Sequence, residues 1–225
     1  MIRLELPRVV VFDLAGTTVR DDGQVPAAFA AALSEQGIRV TPDQITGVRG
    51  ASKMDAIRRL VPPGPEQPRR VEAAYLAFQS GLRRRYGDGG VSSVDGAEAT
   101  FAWLRARDVR IAFNTGFDRA ITDLLLAALR WSKVADAVVC GDEVRRGRPA
   151  PDLIRRAMEL TGVRDPGLVA TVGDTTLDLE AGHAAGVRFN VGVLSGAHER
   201  GRLEKAPHTH LLADVSELPS LWPGL

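Results

Sequence analysis

The chain has a single cysteine, Cys140, in 225 residues, so an internal disulfide is excluded and a reducing compartment fits. It carries almost no excess charge. With 29 Lys and Arg against 28 Asp and Glu, the formal net charge is +1, which argues against a nucleic-acid stripe or a strongly acidic partner. No apolar run approaches the roughly 20 residues of a membrane span. The opening Met-Ile-Arg-Leu-Glu-Leu-Pro lacks the apolar stretch of a secretion signal. Internal repeats and low-complexity tracts are missing too. These absences lead to the expectation of a cytoplasmic protein with no nucleic-acid or membrane partner. Arg83-Arg84-Arg85 reads as the solvated face of a helix, and Cys140, after Ala137-Val138-Val139, as filler at a buried strand end.

What is present is an ordinary globular composition, 44% hydrophobic and 25% charged, long enough for one sizeable core and a second, smaller domain. Strand-like runs fall at 8–12, 109–113, 137–140, 168–172 and 187–193, with a weaker one at 209–212. Helix-length segments at 96–107, 118–130, 151–162 and 176–185 separate them, which predicts an α/β fold with a Rossmann-like parallel sheet covered on both faces. Pro151 suits a first helical position and Gly162 a C-terminal cap. Residues 21–92 break the alternation, with helical segments at 26–36, 42–46, 52–61 and 66–86 and a hard stop at Pro62-Pro63-Gly64-Pro65. The chain therefore divides into a core of 1–20 and 93–225 and an inserted helical domain of 21–92, with Asp88-Gly89-Gly90 as a flexible joint.

Four groups fall at the ends of predicted strands: Asp13, Thr115-Gly116, Arg148, and the pair Asp174 and Asp178. In a parallel sheet these ends share one edge, where distant residues can meet in a crevice. A carboxylate there can attack phosphorus, with Asp13 as nucleophile. Thr115 and the glycine amides of Gly16 and Gly116 can hold phosphoryl oxygens, and Arg148 can offset charge on both partners. Asp174 and Asp178 stand four apart, so a helix beginning there would give them one face. With Asp13 they would form a hard-oxygen pocket suited to Mg²⁺. Position 15 is the odd one. A phosphate-ester hydrolase on this turn needs a second acid to protonate the departing alkoxide, and Ala15 offers none, which points to a leaving group that needs no such proton.

The order Asp-x-x-Gly-Thr-Thr, strand-end threonine, basic residue and Gly-Asp-x-x-x-Asp resembles the haloacid dehalogenase superfamily. The resemblance covers the core and places its helical cap where residues 21–92 lie. Ala15 and Arg148 replace that superfamily's second aspartate and motif lysine, as in its phosphonatase branch, the phosphonoacetaldehyde hydrolases and relatives. The resemblance implies Mg²⁺ held by Asp13, the Ala15 backbone carbonyl and Asp174, with Asp178 in support. It also implies a homodimer through the cap helix 26–36 and a cap lysine that forms a Schiff base. Gly50-Ala-Ser-Lys-Met-Asp is similar to that branch's cap segment and puts Lys53 at the lysine.

The residues agree in part. Ser52-Lys-Met-Asp55 has the spacing of a capping box, which places Lys53 at the positive end of a helix and disfavours its ammonium; Asp55 opposes this and leaves the net sign open. An imine would turn the carbanion left by C–P cleavage into an enamine, so a 2-oxo-alkylphosphonate is the expected substrate. Where the branch carries histidine, methionine and tyrosine, this chain has Ala56, Arg49 and Phe117. Arg49 adds a cation that either depresses the Lys53 pKa or binds an extra substrate carboxylate. Two other readings stand beside this one: a phosphatase for a small phosphate monoester, and a non-catalytic module that binds a phospho-ligand or a partner. Histidines 183, 198, 208 and 210 lack metal-ligand spacing and receive no role.

Overall fold

The computed structural model describes residues 5–87 and 90–223. Its centre is a strand of four residues, β1 (Val9–Phe12), in which every side chain is buried. Such a run has no polar face to give to water, so it must be covered on both sides. It pairs in parallel with β2 (Arg110–Asn114) on one flank and β4 (Val169–Gly173) on the other. The sheet is completed by β3 (Ala137–Val139), β5 (Phe189–Val193) and β6 (His210–Leu212), in the order β3-β2-β1-β4-β5-β6, with all pairings parallel. The weak strand expected at 209–212 is therefore present as the edge β6, and the order reverses beside β1, where an α/β sheet opens its crevice.

The helices between strands fall where periodicity places them: Ala97–Arg105, Arg119–Ala128, Asp152–Thr161 and Thr176–Ala185. Gly162 caps the third in the left-handed conformation. Pro151 is one residue earlier than expected, at the N-cap. One face of the sheet packs against Phe101, Trp131 and Trp222, with Phe12 and Phe113 edge-on to Phe101. The other packs against Leu153, Ile154, Ala157 and Met158. Cys140 is buried, and burial pushes its thiol up to about 12, as expected of an inert filler. No helix among the described residues is long and apolar enough to cross a membrane.

Four consecutive helices follow β1: α1 (Gln24–Glu35), α2 (Pro42–Val48), α3 (Lys53–Leu60) and α4 (Gln67–Gly87). Their apolar faces bury Phe29, Leu33, Ile57, Phe78 and Leu82 against one another, and Phe29 meets Phe78 at 4.6 Å between ring centroids. Asp88 and Gly89 of the expected joint lie outside the described residues.

Candidate active site

Asp13, Thr115-Gly116, Arg148 and Asp174 line one small cavity together with Ala15, Arg49, Lys53 and Phe117 among others, whereas Asp178 is not part of its lining. Larger grooves, such as that beside Arg155, Met158 and Arg164, lie at the opposite edge of the sheet and touch none of these residues.

Asp13 extends β1 by one step, its N–H bonded to the Val172 carbonyl at 2.9 Å. The chain then turns through Gly16 at a φ of 97°; a side chain there would collide with the Asp174 carboxylate, so glycine is required for both conformation and space. Thr17 donates to Asp174 at 3.2 Å, and the Ala197 N–H donates to its other oxygen at 2.6 Å. Burial raises Asp13 to about 6, opposed by Arg148 and reinforced by Asp178. Asp174 is raised to about 6 by burial and by the Asp13 charge.

Arg148 is 3% exposed and almost wholly committed. It bonds Asp13 and Asp178 at 2.8 Å each, the Asn114 side chain at 2.7 Å and the Asn114 carbonyl at 3.0 Å. Its remaining bond, to the Gly50 carbonyl at 3.3 Å, crosses to the helical layer. Asp178 corrects one expectation, the shared helix face. The last connecting helix begins at Thr176 with Thr175 as N-cap, so Asp174 precedes the helix and shares no face with Asp178. The Asp178 carboxylate is used by Thr175 in a capping box and by Arg148, and no three carboxylate, imidazole or thiolate groups among the described residues converge to hold a metal. Asp178 is thus tied to Thr175 and Arg148, while Asp13 and Asp174 line the cavity.

Lys53 is the first residue of α3, as its spacing predicts, and its own N–H is tied to the Gly116 carbonyl at 3.1 Å. Its ammonium position lies 4.6 Å from the centre of the Phe117 ring. Burial lowers it to about 8, Arg49 adds to the fall, and Asp13 opposes it. The sequence had left that sign open because of Asp55. In the structure Asp55 turns instead to Ser52, at 2.8 Å, and to Arg58. Ser52 caps the helix alone, without the reciprocal half of a capping box. Thr115 is buried, lines the same cavity as Lys53 and accepts the Phe117 N–H at 3.2 Å.

A family model for haloacid dehalogenase-like hydrolases matches residues 7–186. The chain belongs to that family. It is 32% identical over 207 residues to a phosphonoacetaldehyde hydrolase of Hahella chejuensis, covering 85% of this chain and 69% of the relative. It is 31% identical over 219 residues to a protein of the same name from Bacillus cereus, covering 87% and 79%. Among solved structures, a phosphonoacetaldehyde hydrolase-like protein from Oleispira antarctica superposes with a TM-score of 0.85 at 21% identity, over 98% of this chain and 95% of that one.

Two residues of this haloacid dehalogenase-like hydrolase carry contacts that its motifs do not announce. Asp118 takes Tyr75 and Gln79 of α4 at 2.9 Å each while capping the helix that begins at Arg119. His198 is 2% exposed; its Nδ1 accepts the Thr176 N–H at 3.0 Å, which leaves the proton on Nε2, 3.2 Å from the Thr46 carbonyl of α2. Metal-ligand spacing was the wrong test for it, because its role is to bridge two layers as a neutral ring. Burial lowers its pKa to about 4, helped by Arg202 and Arg49. A depressed folded pKa contributes stability above the unfolded value near 6.5, lost as pH falls toward 4. His198→Phe is expected to cost about 1–2 kcal/mol at pH 7. Urea unfolding should show the gap from wild type shrinking as pH falls through that window.

Proposed function

We propose that this hydrolase cleaves the carbon–phosphorus bond of a 2-oxo-alkylphosphonate, phosphonoacetaldehyde or a substituted analogue, with Lys53 as imine-forming amine and Asp13 as phosphoryl acceptor. The observation that carries this reading is a buried lysine, lowered to about 8, in the same closed cavity as the strand-end carboxylate. A phosphate-monoester site has no use for a neutral amine there, and a decayed binding site has no reason to keep Asp13, Arg148 and Asp174 buried together. The names of the two curated relatives support the reading as well.

The residues divide the work. The Lys53 amine adds to the carbonyl and water leaves. Once the imine nitrogen is protonated, it accepts the electron pair of the breaking C–P bond, so the carbon fragment departs as an enamine rather than a carbanion. The Asp13 oxygen takes the phosphoryl group, whose charge Arg148, the Thr115 hydroxyl and the Gly116 amide offset; the Gly16 amide, expected to share this task, donates instead to the Val19 carbonyl at 2.7 Å. No alkoxide forms, so Ala15 lacks nothing. Water then hydrolyses the aspartyl-phosphate. Residues 21–92 work as a lid over the core of 1–20 and 93–225 and exclude bulk water during the imine stage.

Mg²⁺ fits the site: burial and the Asp178 charge raise the Asp13 pKa, and burial and the Asp13 charge raise that of Asp174, a crowding of buried carboxylates that a cation relieves. Asp13, Asp174 and the Ala15 carbonyl would hold it, and when bound it would shield the anionic nucleophile from the anionic phosphonate.

Borohydride added during turnover should fix a carbonyl fragment on Lys53, located by peptide mass; an adduct elsewhere, or none, would count against the imine. The rate of adduct formation should rise from pH 6 toward 8.5, because the amine attacks only when neutral and its pKa is about 8.

A further inference from the structure

Arg49 closes α2, with a φ of −60° and a ψ of 145° that turn the chain out of the helix and into Gly50. It is 8% exposed and lines the cavity with Lys53 and Phe117. One corner of its guanidinium, Nη2, is held at 2.7 Å by Asp21, whose side chain is 3% exposed and which also accepts the Val25 N–H at 3.1 Å. The Asp21 contact is an ion pair, and no group among the described residues accepts a well-aligned hydrogen bond from Arg49. A guanidinium has five N–H donors in a rigid fork, so this buried cation is fixed in place with most of its donors unused. Arg148, the other cavity arginine, is the contrast: Asp13, Asp178, Asn114 and Gly50 occupy it.

We propose that Arg49 is a specificity residue that reads a carboxylate carried by the substrate's carbonyl carbon, so that the preferred substrate is a 3-phosphono-2-oxo acid rather than the plain aldehyde. The inference rests on the phosphonatase reading and names its substrate class. With the phosphonate at Asp13 and the carbonyl at Lys53, Arg49 is the remaining cation of the cavity lining that is not held by several protein groups, and so the one available to the third substituent of the carbonyl carbon. A hydrogen there uses none of the free donors, whereas a carboxylate takes two in the planar geometry a guanidinium prefers. Asp21 neutralises Arg49 in the empty site. On reaction, the added carboxylate is matched by the positive charge that appears on the Lys53 imine.

The balance is simple. Imine formation releases one water; the C–P electron pair enters the enamine as phosphorus passes to Asp13. The enamine carbon takes a proton, one water hydrolyses the imine to free the 2-oxo acid, and another frees orthophosphate. The net reaction consumes one water per substrate.

The test is the ratio of kcat/KM for 3-phosphono-2-oxopropanoate to that for phosphonoacetaldehyde. It is measured on wild type, on Arg49→Met, and on Arg49→Met/Asp21→Asn, which avoids stranding a buried aspartate. Wild type should favour the acid by tenfold or more, and both variants should lower the ratio roughly 10- to 100-fold. A wild-type preference for the aldehyde, or a ratio that the variants leave unchanged while only the pH–rate profile moves, would overturn the proposal and leave the phosphonatase reading standing. Cleavage of neither compound by wild type would remove that reading, and the proposal with it.

Discussion

Lys53→Ala is expected to lose C–P bond cleavage by roughly 10⁴-fold or more, about 5.5 kcal/mol of transition-state stabilisation. The size follows from the chemistry. Without an imine the departing carbon must carry a full negative charge, and no other amine among the described residues lines the cavity. Phosphoryl transfer to Asp13 from an ester with a good leaving group needs no imine, so any release of phosphate from p-nitrophenyl phosphate should survive the substitution. Retained cleavage of the phosphonate would end the Schiff-base account. Structural damage is separable by the sign of a pH effect. Because the folded amine sits near 8 against an ordinary 10.5, the unfolded chain binds more protons between those values, and wild type gains stability as pH rises through them. Lys53→Ala should lack that gain and should be no less stable at pH 7, since it removes a group that burial disfavours.

That the lysine could be found at all without coordinates has a physical basis. Ser52 three residues before Asp55 is local chemistry, and local chemistry survives in sequence; so do the four strand ends, because a parallel sheet turns order along the chain into position along an edge. The strand and helix boundaries fall within a few residues of their periodicity for the same reason. What escaped was long-range pairing. Nothing in sequence ties Asp21 to Arg49, Asn114 to Arg148, or His198 to Thr46, because each pair joins residues far apart along the chain, the last of them across the helical layer and the sheet. Asp178 shows the converse. Its spacing from Asp174 suggested a shared helix face, but Thr175 won the N-cap, and the helix start moved two residues past Asp174. Cap competition set the geometry, and the Asp178 carboxylate pairs with an arginine.

Asp13→Asn separates the two halves of the reaction. The amide is close in shape, and Arg148 keeps Asp178 and Asn114 as partners, so the fold should hold while one buried charge is lost. Turnover should fall by roughly 10⁴-fold or more, because an amide oxygen cannot accept the phosphoryl group. Imine formation asks nothing of Asp13 as a nucleophile. Asp13 raises the Lys53 pKa by its charge, so its removal should leave the amine more neutral at pH 7. Borohydride should therefore still trap a fragment on Lys53 in Asp13→Asn, and that adduct should retain phosphorus, whereas the wild-type adduct after turnover should not. An adduct in the variant that lacks phosphorus would show another group breaking the C–P bond. Loss of the adduct altogether, in a folded variant, would mean that the carboxylate helps form the imine, and the division of labour between strand end and helix start would have to be redrawn.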